Sequence, residues 1–206
     1  AQSAHFKTEV EEYDLLKYSE ILTSAKEVES FGGQRFSLVS SGRGPSDSET
    51  ETLCSIYKNL NEDTNLKLCA SHGLLSYEQA VNLKASGVEK HHHNLESSKN
   101  YYGFICETHS YEDRVATILN AQKAGLDVCS GGIFGIGESE INRLEMAFAL
   151  RKLNITSIPI NILSPIAGTP LENSKPLAPL EILRTMAIYR LVNPSAHIRY
   201  AGGRMS

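Results

Sequence analysis

Several features are scarce or absent in this 206-residue sequence, and each absence argues against a class of protein. The four cysteines show no CxxC spacing, so a zinc knuckle is not expected, and four are too few for a disulfide scaffold in a chain of this size. No apolar run reaches the roughly 18 residues of a membrane helix, and the first residues do not form a signal peptide. A net charge of −4 offers no basic surface to nucleic acid or to an anionic membrane. We therefore expect a cytoplasmic protein with reduced thiols and neither of these partners.

What is present is a regular alternation of helical and strand patterns. We expect helices around 11–30, 47–60, 76–86, 111–124, 138–153 and 179–191, and strands at 34–39, 66–71, 88–94, 126–131, 157–162 and 197–202. Strands that alternate with helices predict parallel βαβ units with right-handed crossovers, so the fold class is α/β. About six such strands suit either an open doubly wound sheet or most of a (β/α)8 barrel.

The faces of the strands favour the barrel. Parallel strands that are covered on both sides usually read as continuous apolar runs, but here Phe36 and Leu38 alternate with Arg35 and Ser37, and the later strands follow the same pattern. In a barrel the apolar face meets the helices and the other face lines the interior. An interior of this polarity is typical of a ligand or cofactor site. We therefore predict a TIM-type (β/α)8 barrel that is incomplete in this chain.

Three residues at strand ends suggest a metal centre. If a strand before residue 1 is counted as the first, Cys69, Cys129 and Arg199 lie on the third, fifth and seventh strands. Alternate strands of a barrel contribute to one interior layer, so these side chains could converge. Two thiolates beside a guanidinium suit a soft metal centre, with iron–sulfur as the leading option. A buried cysteine can equally act as a small hydrophobic residue, and the residues alone leave both interpretations open.

The glycine-spaced turn after Cys129 fits the pattern GxIxGxxE, with Gly131, Ile133, Gly135 and Glu138. Glycines let the backbone approach a ligand, and the helix that follows offers unpaired N–H groups. The turn differs from the dinucleotide fingerprint GxGxxG, so it does not support a nicotinamide cofactor. Glycine turns before helices are common, and alone this signal is weak.

Polar residues also follow the strand at 88–94. Asn94 and Glu96 lie in the stretch HHHNLESS, and a carboxylate at that place could accept hydrogen bonds from a ribose diol. Arg114 opens the next helix and could hold a carboxylate through two hydrogen bonds. The alternatives are a solvated loop and an ordinary surface ion pair.

Four stretches together resemble the biotin synthase family of radical S-adenosylmethionine enzymes, namely HHHNLESSKNYYGFICETHSYEDR, VCSGGIFGIGE, SIPINILSPIAGTPLE and IRYAGGR. The resemblance runs from the first residue to the last. It implies a radical sulfurtransferase of biotin biosynthesis with a single barrel domain over 1–206 that is truncated at both ends. In that family a 4Fe-4S cluster cleaves S-adenosylmethionine to a 5′-deoxyadenosyl radical, and an auxiliary iron–sulfur cluster donates the sulfur that closes the thiophane ring of dethiobiotin. Further implied partners are an electron donor such as flavodoxin or ferredoxin, and a second copy of the chain in a homodimer.

The resemblance also implies a role for each candidate residue. Cys69, Cys129 and Arg199 match ligands of the auxiliary cluster, which makes them the catalytic candidates. The positions that match contacts to S-adenosylmethionine are Asn94, Glu96, Arg114, Gly131, Gly132, Gly135 and Glu138. Those that match contacts to dethiobiotin are Asn94 and Asn161.

Two departures from the family pattern matter. The CxxxCxxC loop that holds the 4Fe-4S cluster lies in the family directly before a segment like AQSAHFKT, with which this sequence begins at Ala1. The expectation is an internal portion of a longer enzyme that is inactive without this loop. Ser37 stands where well-known members have a further cysteine ligand, and serine oxygen is a poorer ligand for iron. The auxiliary cluster is then either 2Fe-2S or a variant of it, with Ser37 a doubtful ligand. The alternatives are a sister radical enzyme without sulfur insertion and a catalytically silent fragment.

Overall fold

The structure is a computed structural model that describes Phe6 and residues 13–203. Parallel strands alternate with helices along the chain. In chain order the elements are α1 (Tyr18–Ser30), β1 (Arg35–Val39), α2 (Asp47–Asp63), β2 (Lys67–Ser71), α3 (Tyr77–Ala85), β3 (Val88–His92), α4 (Lys99–Tyr102), α5 (Tyr111–Lys123), β4 (Asp127–Cys129), β5 (Gly132–Phe134), α6 (Glu140–Lys152), β6 (Ser157–Ile162), α7 (Pro179–Val192) and β7 (His197–Tyr200). This arrangement confirms the predicted α/β class.

The described chain divides into two compact units. One, called the β1–β3 unit, contains 13–93 and 115–128. The other, called the β5–β7 unit, contains 94–114 and 129–203. The single domain expected over 1–206 stays a prediction.

In the β1–β3 unit, β1 pairs with β2 and β2 pairs with β3, all in parallel. Ser37 lies opposite Cys69 in the first pair. The register of the second pair shifts between Leu68 and Cys69. Because residues in register on parallel strands point to the same face of the sheet, Ser37 and Cys69 are neighbours on one face.

In the β5–β7 unit, β6 is the central strand and is parallel to its neighbours. Cys129 at the end of β4 lies opposite Ser157, the first residue of β6. On the other side, β7 places Arg199 opposite Pro159. The side chains of Ile158 and Ile160 are fully buried, whereas Arg199 is exposed.

Several of the helices begin at capping boxes. Ser46, Ser76, Ser110 and Ser139 each accept a hydrogen bond from the backbone N–H three residues later, and the side chain of that later residue binds the backbone N–H of the serine. These reciprocal bonds satisfy N–H groups that an α-helix leaves unpaired. The cap at Ser139 also explains why α6 begins at Glu140 and not at 138, where the sequence pattern places its start.

The first helix is shorter than the sequence pattern predicts. It begins at Tyr18, and the part of 11–30 before it that the structure describes, 13–17, is not helical. The physical reason is that Lys17 adopts an extended backbone with φ −63° and ψ 146° and donates its N–H to the Glu20 carboxylate. Residues 11–12 lie outside the described residues.

Two elements are not anticipated by the sequence patterns. The four-residue helix α4 lies between Ser98 and Gly103, and the three-residue strand β5 lies inside the glycine-spaced turn. The expected strands at 88–94, 126–131 and 197–202 end earlier, at His92, Cys129 and Tyr200. Among the described residues no helix is long and apolar enough to span a membrane.

Candidate cofactor and metal-binding site

Asn94 and Glu96 lie just beyond the carboxyl end of β3 and are tied to the glycine turn. The side-chain oxygen of Asn94 accepts the N–H of Gly131 at 3.1 Å, and its amide nitrogen donates to a carboxylate oxygen of Glu96 at 3.4 Å. The backbone of Glu96 accepts the N–H of Ile133 at 2.9 Å and donates to Gly131 O at 3.2 Å. These bonds explain why β3 ends early: Asn94 uses its side chain where a strand residue would use its backbone.

Arg114, from the first turn of α5, reaches the same cluster. Its Nη1 donates to the carbonyl oxygen of Asn94 at 2.9 Å and lies 3.7 Å from a carboxylate oxygen of Glu96. Its Nε donates to the hydroxyl of Tyr102 at 2.6 Å. The side chain is 15% exposed, so this guanidinium is fixed by partners and is not an ordinary surface ion pair. The structure therefore brings together Asn94, Glu96 and Arg114.

Glu96 carries two signs of a functional position. Its φ of 66° lies in the left-handed region, which non-glycine residues rarely occupy. Burial raises the pKa of its carboxyl, an effect that the nearby Arg114 and the hydrogen bond from Asn94 partly offset. Such a carboxylate, held just beyond the carboxyl end of a strand, is suited to accept hydrogen bonds from a diol.

Glu138 shapes the glycine turn from within. Its carboxylate accepts the N–H of Gly135 at 3.0 Å and of Ile136 at 2.8 Å, and the Nε of Arg143 at 2.7 Å. Arg143 continues to Glu181 on α7 at 2.8 Å. The side chain of Glu138 is only 2% exposed. These contacts show that Glu138 fixes the conformation of the turn.

Gly131 and Gly132 are required by close packing. A Cβ on Gly131 would overlap the carbonyl oxygen of Pro159, and one on Gly132 would lie 2.5 Å from Glu96 O. No side chain fits at either place, so these glycines bring the Glu96 segment and β6 against the turn. Gly135 adopts φ +88°, which favours glycine for a different reason.

The structure brings two of the three predicted metal ligands, Cys129 and Arg199, into contact. Nη2 of Arg199 donates to Cys129 Sγ at 3.2 Å, and Ser157 Oγ donates to the same sulfur at 3.3 Å. Cys129 is 1% exposed. Two hydrogen-bond donors on one buried sulfur suit a thiolate ligand, whereas a cysteine that only fills space needs neither.

Asn161, the expected substrate contact, lies on β6 with both ends of its amide engaged. Its nitrogen donates to Gly132 O at 3.2 Å and its oxygen accepts the N–H of Gly202 at 2.9 Å. It therefore links the glycine turn to the segment after β7. The side chain remains half-buried.

Cys69 and Ser37 belong to the β1–β3 unit. Cys69 is 6% exposed and accepts a hydrogen bond from Nη1 of Arg35 at 3.7 Å. Ser37, directly opposite in register, is exposed. None of the four cysteines, all of which are among the described residues, forms a disulfide.

Several residues of this site are not singled out by the sequence patterns. They are Arg35, Tyr101, Tyr102, Arg143 and Ser157. The sequence gives one signal for Ser157, which is the first residue of the strand expected at 157–162; the register that places it opposite Cys129 is seen only in the structure. The tyrosines lie on the short helix α4, which has no periodicity to reveal it.

The donor set around Cys129 fits a ligand of an iron–sulfur cluster. Within the described part of the chain, no group of three or more His, Cys, Asp and Glu side chains could hold a metal ion. A cluster ligand set that includes arginine or serine falls outside such a group. The buried sulfur of Cys129 with its two donors suits a thiolate ligand of this kind.

Comparison with known families shows the class of protein. The sequence model of the radical SAM superfamily matches residues 3–150, and that of the Biotin and Thiamin Synthesis associated domain matches residues 159–206. Because the first match covers more than half of the chain, this chain belongs to the radical SAM superfamily.

Two relatives within the superfamily are similar to this chain over its whole length. The chain is 57% identical over 206 residues to the biotin synthase of Clostridioides difficile and 56% identical over 205 residues to that of Acetivibrio thermocellus. The two alignments cover the whole of this chain but only 63% and 64% of the length of these relatives.

Solved structures confirm the fold class. Methylornithine synthase superposes with a TM-score of 0.83 at 20% identity, over 93% of this chain and 57% of that one. A FeFe-hydrogenase maturase from Carboxydothermus hydrogenoformans superposes with a TM-score of 0.77 at 19% identity, over 90% of this chain and 46% of that one. The incomplete (β/α)8 class predicted from the sequence is thereby confirmed.

Proposed function

We propose that this chain is the barrel portion of a radical S-adenosylmethionine enzyme that inserts sulfur into dethiobiotin to form biotin. The identity to biotin synthases of more than half over the whole chain supports the substrate and the reaction. The observation that carries the proposal is the buried sulfur of Cys129, which accepts hydrogen bonds from Arg199 and Ser157. A radical enzyme that only rearranges its substrate has no need of this thiol.

The proposed cofactor site is the cluster around Arg114. The guanidinium takes the carboxylate of S-adenosylmethionine, and Glu96 and Asn94 take its ribose hydroxyls. The turn from Gly135 to Glu138 supports the adenine end with its backbone. Arg114 is already oriented by its bonds to Asn94 and Tyr102, so little reorganisation opposes binding.

The proposed metal ligands are Cys69, Cys129 and Arg199, and Ser37 is the candidate for a fourth. When bound, an auxiliary cluster would supply the sulfur atom. Cys129 would be held as a thiolate by its two donors, and Arg199 would place a positive charge beside it. For Cys69 the support is its burial and the donor Arg35. Whether the cluster is 2Fe-2S or a variant depends on Ser37.

Asn161 and Asn94 are the proposed contacts to dethiobiotin. The proposed partners are an external electron donor and a second copy of the chain in a homodimer, and both rest on the resemblance to the family. A sister radical enzyme without sulfur insertion is the second candidate, because Ser37 replaces the cysteine of the family pattern. A third is a catalytically silent fragment.

The test uses the full-length enzyme, reconstituted anaerobically with iron and sulfide. Cys129→Ala should abolish biotin formation while cleavage of S-adenosylmethionine to 5′-deoxyadenosine continues. Cys54→Ala is the matched control, because Cys54 lies on α2 and is expected to leave both reactions intact. Normal biotin formation by Cys129→Ala would refute the sulfur-donor role and favour the sister enzyme. A wild-type protein that cleaves no S-adenosylmethionine would refute the radical chemistry as well.

A further inference from the structure

We propose that Tyr101 and Tyr102 are positioning residues that fix the two ends of the cofactor site, Tyr101 through the glycine turn and Tyr102 through Arg114. The inference rests on the proposed function, since it takes the cofactor to be S-adenosylmethionine. Both residues belong to α4, the short helix between the polar strand end of β3 and α5.

Tyr101 and Glu138 both hold the backbone of the turn at Ile136. The hydroxyl of Tyr101 donates to Ile136 O at 3.0 Å, while Glu138 takes the N–H of the same residue. Both the N–H and the C=O of Ile136 are therefore hydrogen-bonded to side chains. Gly137 makes this approach possible, because a Cβ there would lie 2.5 Å from the tyrosine hydroxyl.

Tyr102 orients the guanidinium of Arg114. Its hydroxyl accepts from Nε at 2.6 Å, and the Asn94 carbonyl accepts from Nη1 at 2.9 Å. Two fixed points define the plane of a rigid guanidinium. The tyrosine is itself fixed, since it is 3% exposed and its ring packs edge-on against Tyr111 and His109.

The helical geometry of α4 explains how neighbours in sequence serve different ends of the site. Consecutive side chains of an α-helix point about 100° apart, so Tyr101 and Tyr102 leave the helix in different directions. One helix of four residues therefore sets the position of the adenine turn and of the carboxylate-binding arginine together. A shift of α4 would disturb both.

The test measures equilibrium dissociation constants of two uncleavable probes on the full-length, cluster-reconstituted protein. S-adenosylhomocysteine carries the amino-acid carboxylate, and 5′-methylthioadenosine lacks it. Tyr102→Phe should weaken S-adenosylhomocysteine about fivefold, the equivalent of one hydrogen bond of about 1 kcal/mol, and leave methylthioadenosine unchanged. Tyr101→Phe should weaken both probes by a similar factor, about threefold to fivefold. Tyr111→Phe is the matched control, because its ring contacts Tyr102 but makes neither hydrogen bond.

Two results would overturn the inference. One is equal weakening of both probes, or of neither, by Tyr102→Phe in a protein whose wild type binds both. The other is a Tyr101→Phe variant that binds methylthioadenosine as tightly as the wild type. The two tyrosines are tested in separate variants, so if one variant does not fold, the binding constants of the other still test the inference. A wild type that binds neither probe would refute the proposed cofactor and with it this inference.

Discussion

Substitution of Glu138 by glutamine tests how the glycine turn is held. The carboxylate accepts two backbone N–H groups and the Nε of Arg143, with 2% of the side chain exposed. Glutamine has nearly the same shape and removes the negative charge. One of its ends is an NH₂ group, which must face a donor and cannot accept from it. The variant thus separates the charge from the packing.

The expected cost follows from what remains around Arg143. Removing one partner of a buried ion pair costs about 3–5 kcal/mol, because the other charge is left without compensation. Here Arg143, whose side chain is 5% exposed, keeps its bond to Glu181 at 2.8 Å. We therefore expect a loss of about 2–4 kcal/mol in the free energy of unfolding for Glu138→Gln. Glu181→Gln removes the other partner, whose side chain is 31% exposed, and should cost about 1 kcal/mol or less.

The assay is urea-induced unfolding of the full-length wild type and both variants at one pH, repeated at low and high salt. The loss for Glu138→Gln should be insensitive to salt, because a buried pair is poorly screened, whereas that for Glu181→Gln should shrink. Equal losses for the two variants, or a Glu138→Gln loss that disappears in high salt, would refute the role of the Glu138 carboxylate as the buried charge that holds the turn.

Two further predictions concern groups outside the cofactor cluster. Burial by itself would raise the pKa of the Cys106 thiol, but hydrogen bonds from Thr108, Tyr102 and backbone N–H groups outweigh it and lower that pKa. Cys106 should therefore react with iodoacetamide at pH 7.5 faster than Cys54 does. Mass spectrometry of the tryptic peptides measures the two rates, and equal rates would contradict the prediction. Burial lowers the pKa of His72 from 6.5 to about 4, so the unfolded state binds the extra proton first and stability should fall as pH drops from 6.5 towards 4, by about 3 kcal/mol from this group. Unfolding followed across that range should show a shallower fall in His72→Gln, and parallel curves would exclude the role of this histidine.

The neutral form of His72 is also visible in its hydrogen bonds. The hydroxyl of Tyr57 donates to Cys69 O at 3.0 Å and lies 2.8 Å from Nε2 of His72. Tyr57 has one hydroxyl proton, so Nε2 carries the proton of that contact and Nδ1 accepts from Ser40 Oγ at 2.9 Å. A second proton on the ring would reverse the bond to Ser40, because Nδ1–H would then donate to the hydroxyl oxygen and could no longer accept from it. Acid should therefore act on this buried chain first at Nδ1.

Much of the fold could be read from the sequence because its periodicity is strong. The alternation of Phe36 and Leu38 with polar residues indicates a strand, and the spacing of helices between the strands predicts parallel βαβ units. Elements of three or four residues escape this reasoning, since one turn of helix or three strand residues show no period. For that reason the sequence does not reveal α4 and β5.

The sequence indicates candidate site residues but not the contacts that they make. Strand ends pointed to Cys129 and Arg199, and the structure places the guanidinium 3.2 Å from the sulfur. Spacing alone could not show that Glu138 turns inward to bind Arg143, since a GxIxGxxE turn is compatible with a carboxylate that faces a ligand. Long-range partners such as Tyr102 and Arg114 depend on how loops pack, which no local pattern records.

The two buried cysteines have similar surroundings, each within its own unit. Cys129 has Ser157 opposite it in register and accepts from Arg199 at 3.2 Å. Cys69 has Ser37 opposite it in register and accepts from Arg35 at 3.7 Å. A cysteine that merely fills a core is best surrounded by apolar atoms, and a guanidinium beside it only adds the cost of desolvating a charge. A serine in register and a guanidinium near the sulfur thus recur in the two units, which supports the proposal that both cysteines are metal ligands.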